Sequence, residues 1–196
     1  MNKILLVLLI SLSTFAAPKV LFLGDSLTAG YGIDPEKAYP NLVKDILKKD
    51  GIKIEVMNAS ISGSTSASAI SRLKWSLRGK PDVMLLALGA NDGLRGIKLH
   101  STKENLKNAI KLAKSKGVKV ILAGMQIPPN YSPEYTKEFQ KMFPDLKKEE
   151  GVTLLPFLLK DVAGQRQYNI DDGIHPNEEG HKIIAKTVAP FIRKAL

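Results

Sequence analysis

The chain alternates. Short runs of apolar, often β-branched residues are followed by longer segments whose apolar residues recur at helical spacing. Residues 20–23, 52–57, 83–88, 118–123 and 152–155 read as five strands. Between them lie helical patterns. Pro40 opens one, Leu42, Val43, Ile46 and Leu47 form its apolar face, and Gly51 ends it. Residues 67–77 form a second through Ile70, Leu73 and Leu77. Ser101 and Glu104 make a capping-box pattern ahead of Leu106, Ala109, Ile110 and Ala113. Ser132 caps a fourth helix bearing Phe139, Met142 and Phe143, which Pro144 is expected to break or kink. Asn177 caps the last, with Ile183, Ile184, Val188 and Ile192 on one stripe. Strands alternating with helices mean βαβ units, a parallel sheet and a three-layer α/β/α domain of about five strands.

In an open parallel sheet, ligands bind beyond the carboxyl ends of the strands. The loops at those positions are therefore the informative ones. Gly24-Asp25-Ser26 follows the first strand, and Asn58 to Ser64 follows the second. Gly89-Ala90-Asn91-Asp92-Gly93 follows the third, and Asp171-Asp172-Gly173-Ile174-His175-Pro176 comes after the fifth. Each sets glycine beside polar side chains, and all four should meet at one sheet edge.

These stretches, GDSLTAGYG, NASISGST, GAND and DGIHPN, resemble the four sequence blocks of the SGNH (GDSL) hydrolases. They run from Gly24 to Asn177. GANDGLRG and GMQIPPNY look like the exported thioesterase/lysophospholipase/arylesterase branch. The resemblance implies a flavodoxin-like SGNH-hydrolase fold and hydrolysis of acyl thioesters, lysophospholipids and aryl esters.

The residue chemistry agrees with this. A serine hydroxyl is a weak nucleophile until a base takes its proton. Of the three histidines, His175 alone sits in a Gly/Pro-framed loop beside a carboxylate. Ser26 is thus the expected nucleophile and His175 its base. Asp171 and Asp172 are both near enough to orient the imidazole; the family's D-x-x-H spacing favours Asp172. Backbone N–H groups of Ser26 and Gly63 and the side-chain amide of Asn91 are the candidate oxyanion donors. The resemblance implies that Gly93, Leu94, Ile127, Pro128 and Tyr131 border the acyl group. Asp25 reads as a structural cap, Asp92 as a bystander, and His100 and His181 as exposed residues without a role. No G-x-S-x-G elbow occurs, which disfavours the α/β-hydrolase fold.

The remaining features bound the setting. The chain has 196 residues and no cysteine, so neither disulfides nor thiolate chemistry contribute. No clustered histidine site suggests a metal, and no cofactor is expected. Residues 4–15 form an apolar run behind Lys3, with small residues near Ala16. This predicts a signal peptide over residues 1–16, a hydrolase domain over 17–196, and a periplasmic or secreted product. The formal net charge is +10, spread along helical segments without aromatic interleaving. That disfavours nucleic acid and leaves weak contact with an anionic membrane surface open. The partners expected are small acyl esters or thioesters; oligomeric state is not legible.

Overall fold

The structure, a computed structural model, describes residues 16–128 and 130–196. The expected export segment therefore lies outside the described residues, apart from Ala16. Along the chain the elements are β1 (Lys19–Gly24), α1 (Ser26–Ala29), α2 (Tyr39–Lys49), β2 (Glu55–Asn58), α3 (Ala69–Ser76), β3 (Val83–Ala87), α4 (Ala90–Leu94), α5 (Leu99–Ser115), β4 (Lys119–Ala123), α6 (Pro133–Glu150), β5 (Thr153–Leu155) and α7 (Glu178–Ala195). The five strands are parallel, in the order β2-β1-β3-β4-β5.

That order places the site. The chain steps outward from β1 to β2, then returns past β1 to build β3, β4 and β5 in the other direction. Crossovers of constant hand put the helices of the two directions on opposite faces. Accordingly α2 packs on α7, while α3, α5 and α6 pack in a row. The reversal falls between β1 and β3, whose carboxyl ends part to leave a crevice. Residues 20–24 of β1 and all of β3 are buried, as strands covered on both faces must be. Each large apolar side chain so placed contributes about 1.5–3 kcal/mol of transfer free energy.

Several boundaries differ from the expected ones, each for a local reason. The second strand begins at Glu55 instead of residue 52, because β1 offers partners only from Lys19, which pairs with Glu55. Ile52 instead gives its N–H to the Leu47 carbonyl at the end of α2. The α3 helix is shorter than 67–77 and is flanked by single 3-10 turns at Ser66–Ser68 and Leu77–Gly79. Ser101 does not cap α5, which starts two residues earlier at Leu99 with Lys98 as the cap residue. Pro144 does not break α6, which continues to Glu150. Its buried face of Phe139, Met142, Phe143 and Leu146 offsets the one lost hydrogen bond. His181 is not exposed but only 1% accessible, and its Nδ1 accepts the Tyr39 N–H at 3.1 Å.

Candidate active site

β1 ends against α1 with almost no turn between them. Gly24 is required there: a Cβ would lie 2.2 Å from Thr28 Oγ1 and 3.1 Å from the Ala87 carbonyl. Asp25 then caps α1, its carboxylate accepting the Leu27 N–H at 3.1 Å. Ser26 is the first residue of the helix, so its own N–H has no intrahelical acceptor. Arg72 braces this corner from α3, donating to the Gly24 carbonyl at 2.7 Å and to the Ala59 carbonyl. Ser60 adds a further tie, accepting the Gly24 N–H at 3.1 Å.

The loop before α7 brings His175 to Ser26. His175 Nε2 lies 2.9 Å from Ser26 Oγ, and His175 Nδ1 lies 2.6 Å from Asp172 Oδ2. The other Asp172 oxygen accepts the N–H groups of Ile174 and His175, both at 3.0 Å. Desolvation pushes the Asp172 carboxyl up, but those two backbone donors and the imidazole outweigh it and hold it below its ordinary value. With Asp172 ionised on Nδ1–H, Nε2 is left as an acceptor facing the serine hydroxyl. The Tyr31 ring covers the imidazole at 4.7 Å between centroids. Sequence reasoning missed Tyr31 and Arg72; only the Gly30/Gly32 pair around Tyr31 signals a turn there.

Asn91 reaches the same place from the third strand end. Its side-chain amide donates to the Ser64 carbonyl at 3.1 Å and to Asp25 Oδ2 at 3.4 Å. Burial pushes the Asp25 carboxyl up to about 6, against the Leu27 N–H and the nearby Arg72 guanidinium. Asp92 is a keystone, not a bystander. It is buried, and its carboxylate accepts the Ser66 N–H at 2.8 Å, Ser66 Oγ at 2.5 Å and Thr102 Oγ1 at 3.1 Å. It thereby holds the loops after β2 and β3 together. Gly63 stands at the exposed rim of that assembly, its carbonyl accepting from Arg95 at 3.0 Å.

Ser26, Asn91 and His175 open on a cavity of about 420 Å³. Its walls are largely apolar, with Leu27, Leu94, Met125, Ile127, Phe157 and Leu159 among them, and Pro128 at one side. Leu94, Ile127 and Pro128 line this cavity. Gly93 and Tyr131 instead stand behind the wall. Gly93 is buried, with no room for a Cβ between Ile127 and Phe139, each 2.6 Å from that point. Tyr131 donates its hydroxyl to the Leu94 carbonyl at 2.7 Å, bracing the loop from outside. Met125, Phe157 and Leu159 are lining residues the sequence did not single out, since an apolar residue just past a strand also serves ordinary packing.

A serine hydroxyl, an imidazole, a carboxylate and an amide side chain gathered at an apolar cavity suit acyl transfer. Comparisons with known proteins agree. The Vibrio mimicus protein named arylesterase is 39% identical over 188 residues, covering 95% of this chain and 94% of that one. The Escherichia coli K12 protein named thioesterase 1/protease 1/lysophospholipase L1 is 38% identical, covering 94% and 88%. The crystal structure of TesA superposes with a TM-score of 0.87 at 36% identity, over 91% of this chain and 99% of that one. Residues 22–183 match the model of the GDSL-like lipase/acylhydrolase family, and the chain belongs to that family.

Proposed function

We propose that the protein is a serine hydrolase that cleaves carboxylic esters and thioesters through an acyl-enzyme, with Ser26, His175 and Asp172 as its catalytic residues. Ser26 Oγ attacks the acyl carbon while His175 Nε2 takes its proton. The carbonyl oxygen becomes an oxyanion held by the N–H groups of Ser26 and Gly63 and the amide of Asn91. The C–O or C–S bond then breaks, and His175 returns the proton to the leaving alcohol or thiol. Water repeats the sequence on the acyl-enzyme, giving up its proton to His175, and the carboxylic acid leaves as Ser26 is restored. Asp172 holds the imidazole tautomer and stabilises the imidazolium. The observation carrying this reading is the unbroken chain Ser26–His175–Asp172, at 2.9 and 2.6 Å.

The substrates proposed are acyl thioesters, lysophospholipids and aryl esters. Leu94, Ile127 and Pro128 contact the acyl group; Gly93 and Tyr131 act by shaping the wall. An apolar cavity of about 420 Å³ suits an acyl chain longer than acetyl. A panel of esters and thioesters of graded chain length tests this: activity confined to acetyl esters would mean a carbohydrate or cell-wall O-acetylesterase instead. Ser26→Ala should remove nearly all turnover with every substrate; retained activity would sink the mechanism.

Residues 1–16 are proposed to direct export to the periplasm or beyond, with cleavage after Ala16. What supports this is the apolar run behind Lys3 and the small residues at the cleavage position. Terminal sequencing of the protein recovered from its producing cell should begin at Ala17; a chain still beginning at Met1 would count against cleavage.

A further inference from the structure

The edge of the sheet opposite the catalytic crevice carries its own surface. Around the amino ends of β1, β3 and β4 lies a groove of about 710 Å³. Lys74, Arg78, Lys80, Lys116 and Lys119 line it, with Asp82 as the one carboxylate side chain among them. Asp82 is already engaged, accepting the Lys19 N–H at 2.7 Å. A second depression of about 490 Å³ shares Gly117, Val118 and Lys119 with the first and adds Lys114 and Lys194. Lys114 and Lys119 spend their ammonium groups on the Glu150 and Leu196 carbonyls. Among the described residues, Lys74, Arg78, Lys80, Lys116 and Lys194 form no ion pair. Five unneutralised cations on one edge form a field, where isolated surface lysines would not.

An aromatic side chain stands next to the groove, in sequence between the lining residues Lys74 and Leu77. Trp75 is the chain's single tryptophan and, at 69% exposed, the most exposed large hydrophobic residue among the described residues. Arg78 lies over it, its guanidinium carbon 4.3 Å from the ring centroid. An exposed indole set among unpaired Lys and Arg matches the headgroup layer of a membrane. There the ring is half-solvated by apolar chains and the cations meet lipid phosphates.

We infer that this basic, tryptophan-bearing edge docks on anionic phospholipid surfaces, with Trp75 at headgroup depth and the catalytic crevice turned toward the aqueous phase. Substrate then enters from the side away from the membrane. The edge is remote from Ser26, so docking and hydrolysis are separable.

Because Trp75 is the only tryptophan, its fluorescence reports on this face alone. The purified chain is titrated with vesicles of equal parts phosphatidylglycerol and phosphatidylcholine, and with phosphatidylcholine alone. The expected result is co-sedimentation and a shift of Trp75 emission to shorter wavelength with the anionic vesicles only, reversed by added salt. Replacing Lys74, Lys80 and Lys116 together by Gln should lower partitioning about 100-fold, with ester hydrolysis unchanged. An unaltered Trp75 emission on anionic vesicles overturns the inference. So does an equal response to neutral vesicles, which would show that lipid charge is not what this face recognises. Tighter binding to duplex DNA than to vesicles overturns it in favour of nucleic acid. Should the triple variant fail to fold, vesicle charge and salt on the parent chain decide alone.

Discussion

Asp172 serves three donors with two oxygens: one oxygen faces the imidazole and the other takes two backbone N–H groups. Residue chemistry alone left Asp171 and Asp172 both open, and only the family's D-x-x-H spacing favoured Asp172, because adjacent residues in a turn point in different directions that the turn's dihedrals decide. Gly173, at φ +75, and the bond from its N–H to the Ile170 carbonyl fix that turn. Asp172→Asn should lower kcat for ester hydrolysis roughly 10³–10⁴-fold, because an amide no longer selects the productive tautomer. Asp171→Asn should stay within a factor of about two, as a surface change away from the reacting groups would. Equal losses in steady-state assays would make the carboxylate's role electrostatic and shared. Ser26, His175 and Asn91 were legible because each sits in a short Gly-framed loop after a strand. Tyr31 was not, since its contact with His175 joins two loops far apart in sequence.

Elements were legible in kind and less so at their ends. Strand and helix types follow from period, but the start of α5 does not. Leu99 is buried and draws the helix two residues upstream of Ser101, while Thr102 turns inward to bond Asp92. Tertiary packing thus overrides a capping signal worth about 1 kcal/mol. The α4 helix shows the same coupling at the site. It is only five residues long, yet it carries Asn91 on one side and Gly93 on the other. Gly93 is where α4 meets Ile127 and Phe139, so its size sets how closely Asn91 approaches Ser26. Gly93→Ala places a methyl 2.6 Å from both neighbours. It should cost about 1–3 kcal/mol of stability by overpacking, and it should lower kcat more than it raises KM. A variant as stable and active as the parent, by urea unfolding and ester kinetics, would show that α4 is free to shift.

For the molecule as a whole, the sequence implied a parallel sheet but not which helices would touch. His181 shows the consequence. It reads as an exposed residue of the last helix, yet packing of α7 on α2 buries it and makes its Nδ1 the acceptor for the first N–H of α2. Burial brings its pKa down to about 4 from 6.5. The unfolded chain therefore takes up the proton first as pH falls. The stability linked to His181 is complete above about 6.5 and is lost progressively toward 4. Asp25 runs the other way. Its carboxyl is raised from 3.8 to about 6, so its contribution is complete below 3.8 and is lost as pH rises through 6. The two windows overlap, and in the parent protein they largely cancel between about pH 4 and 6. The parent's stability curve alone therefore hides both. His181→Asn keeps an acceptor for the Tyr39 N–H and removes the titration. Between pH 7 and pH 5, unfolding free energies from urea titration should fall by about 2 kcal/mol more in the parent than in the variant. Parallel curves would mean that His181 is protonated in the folded state, and that the helix pair opens to let it be.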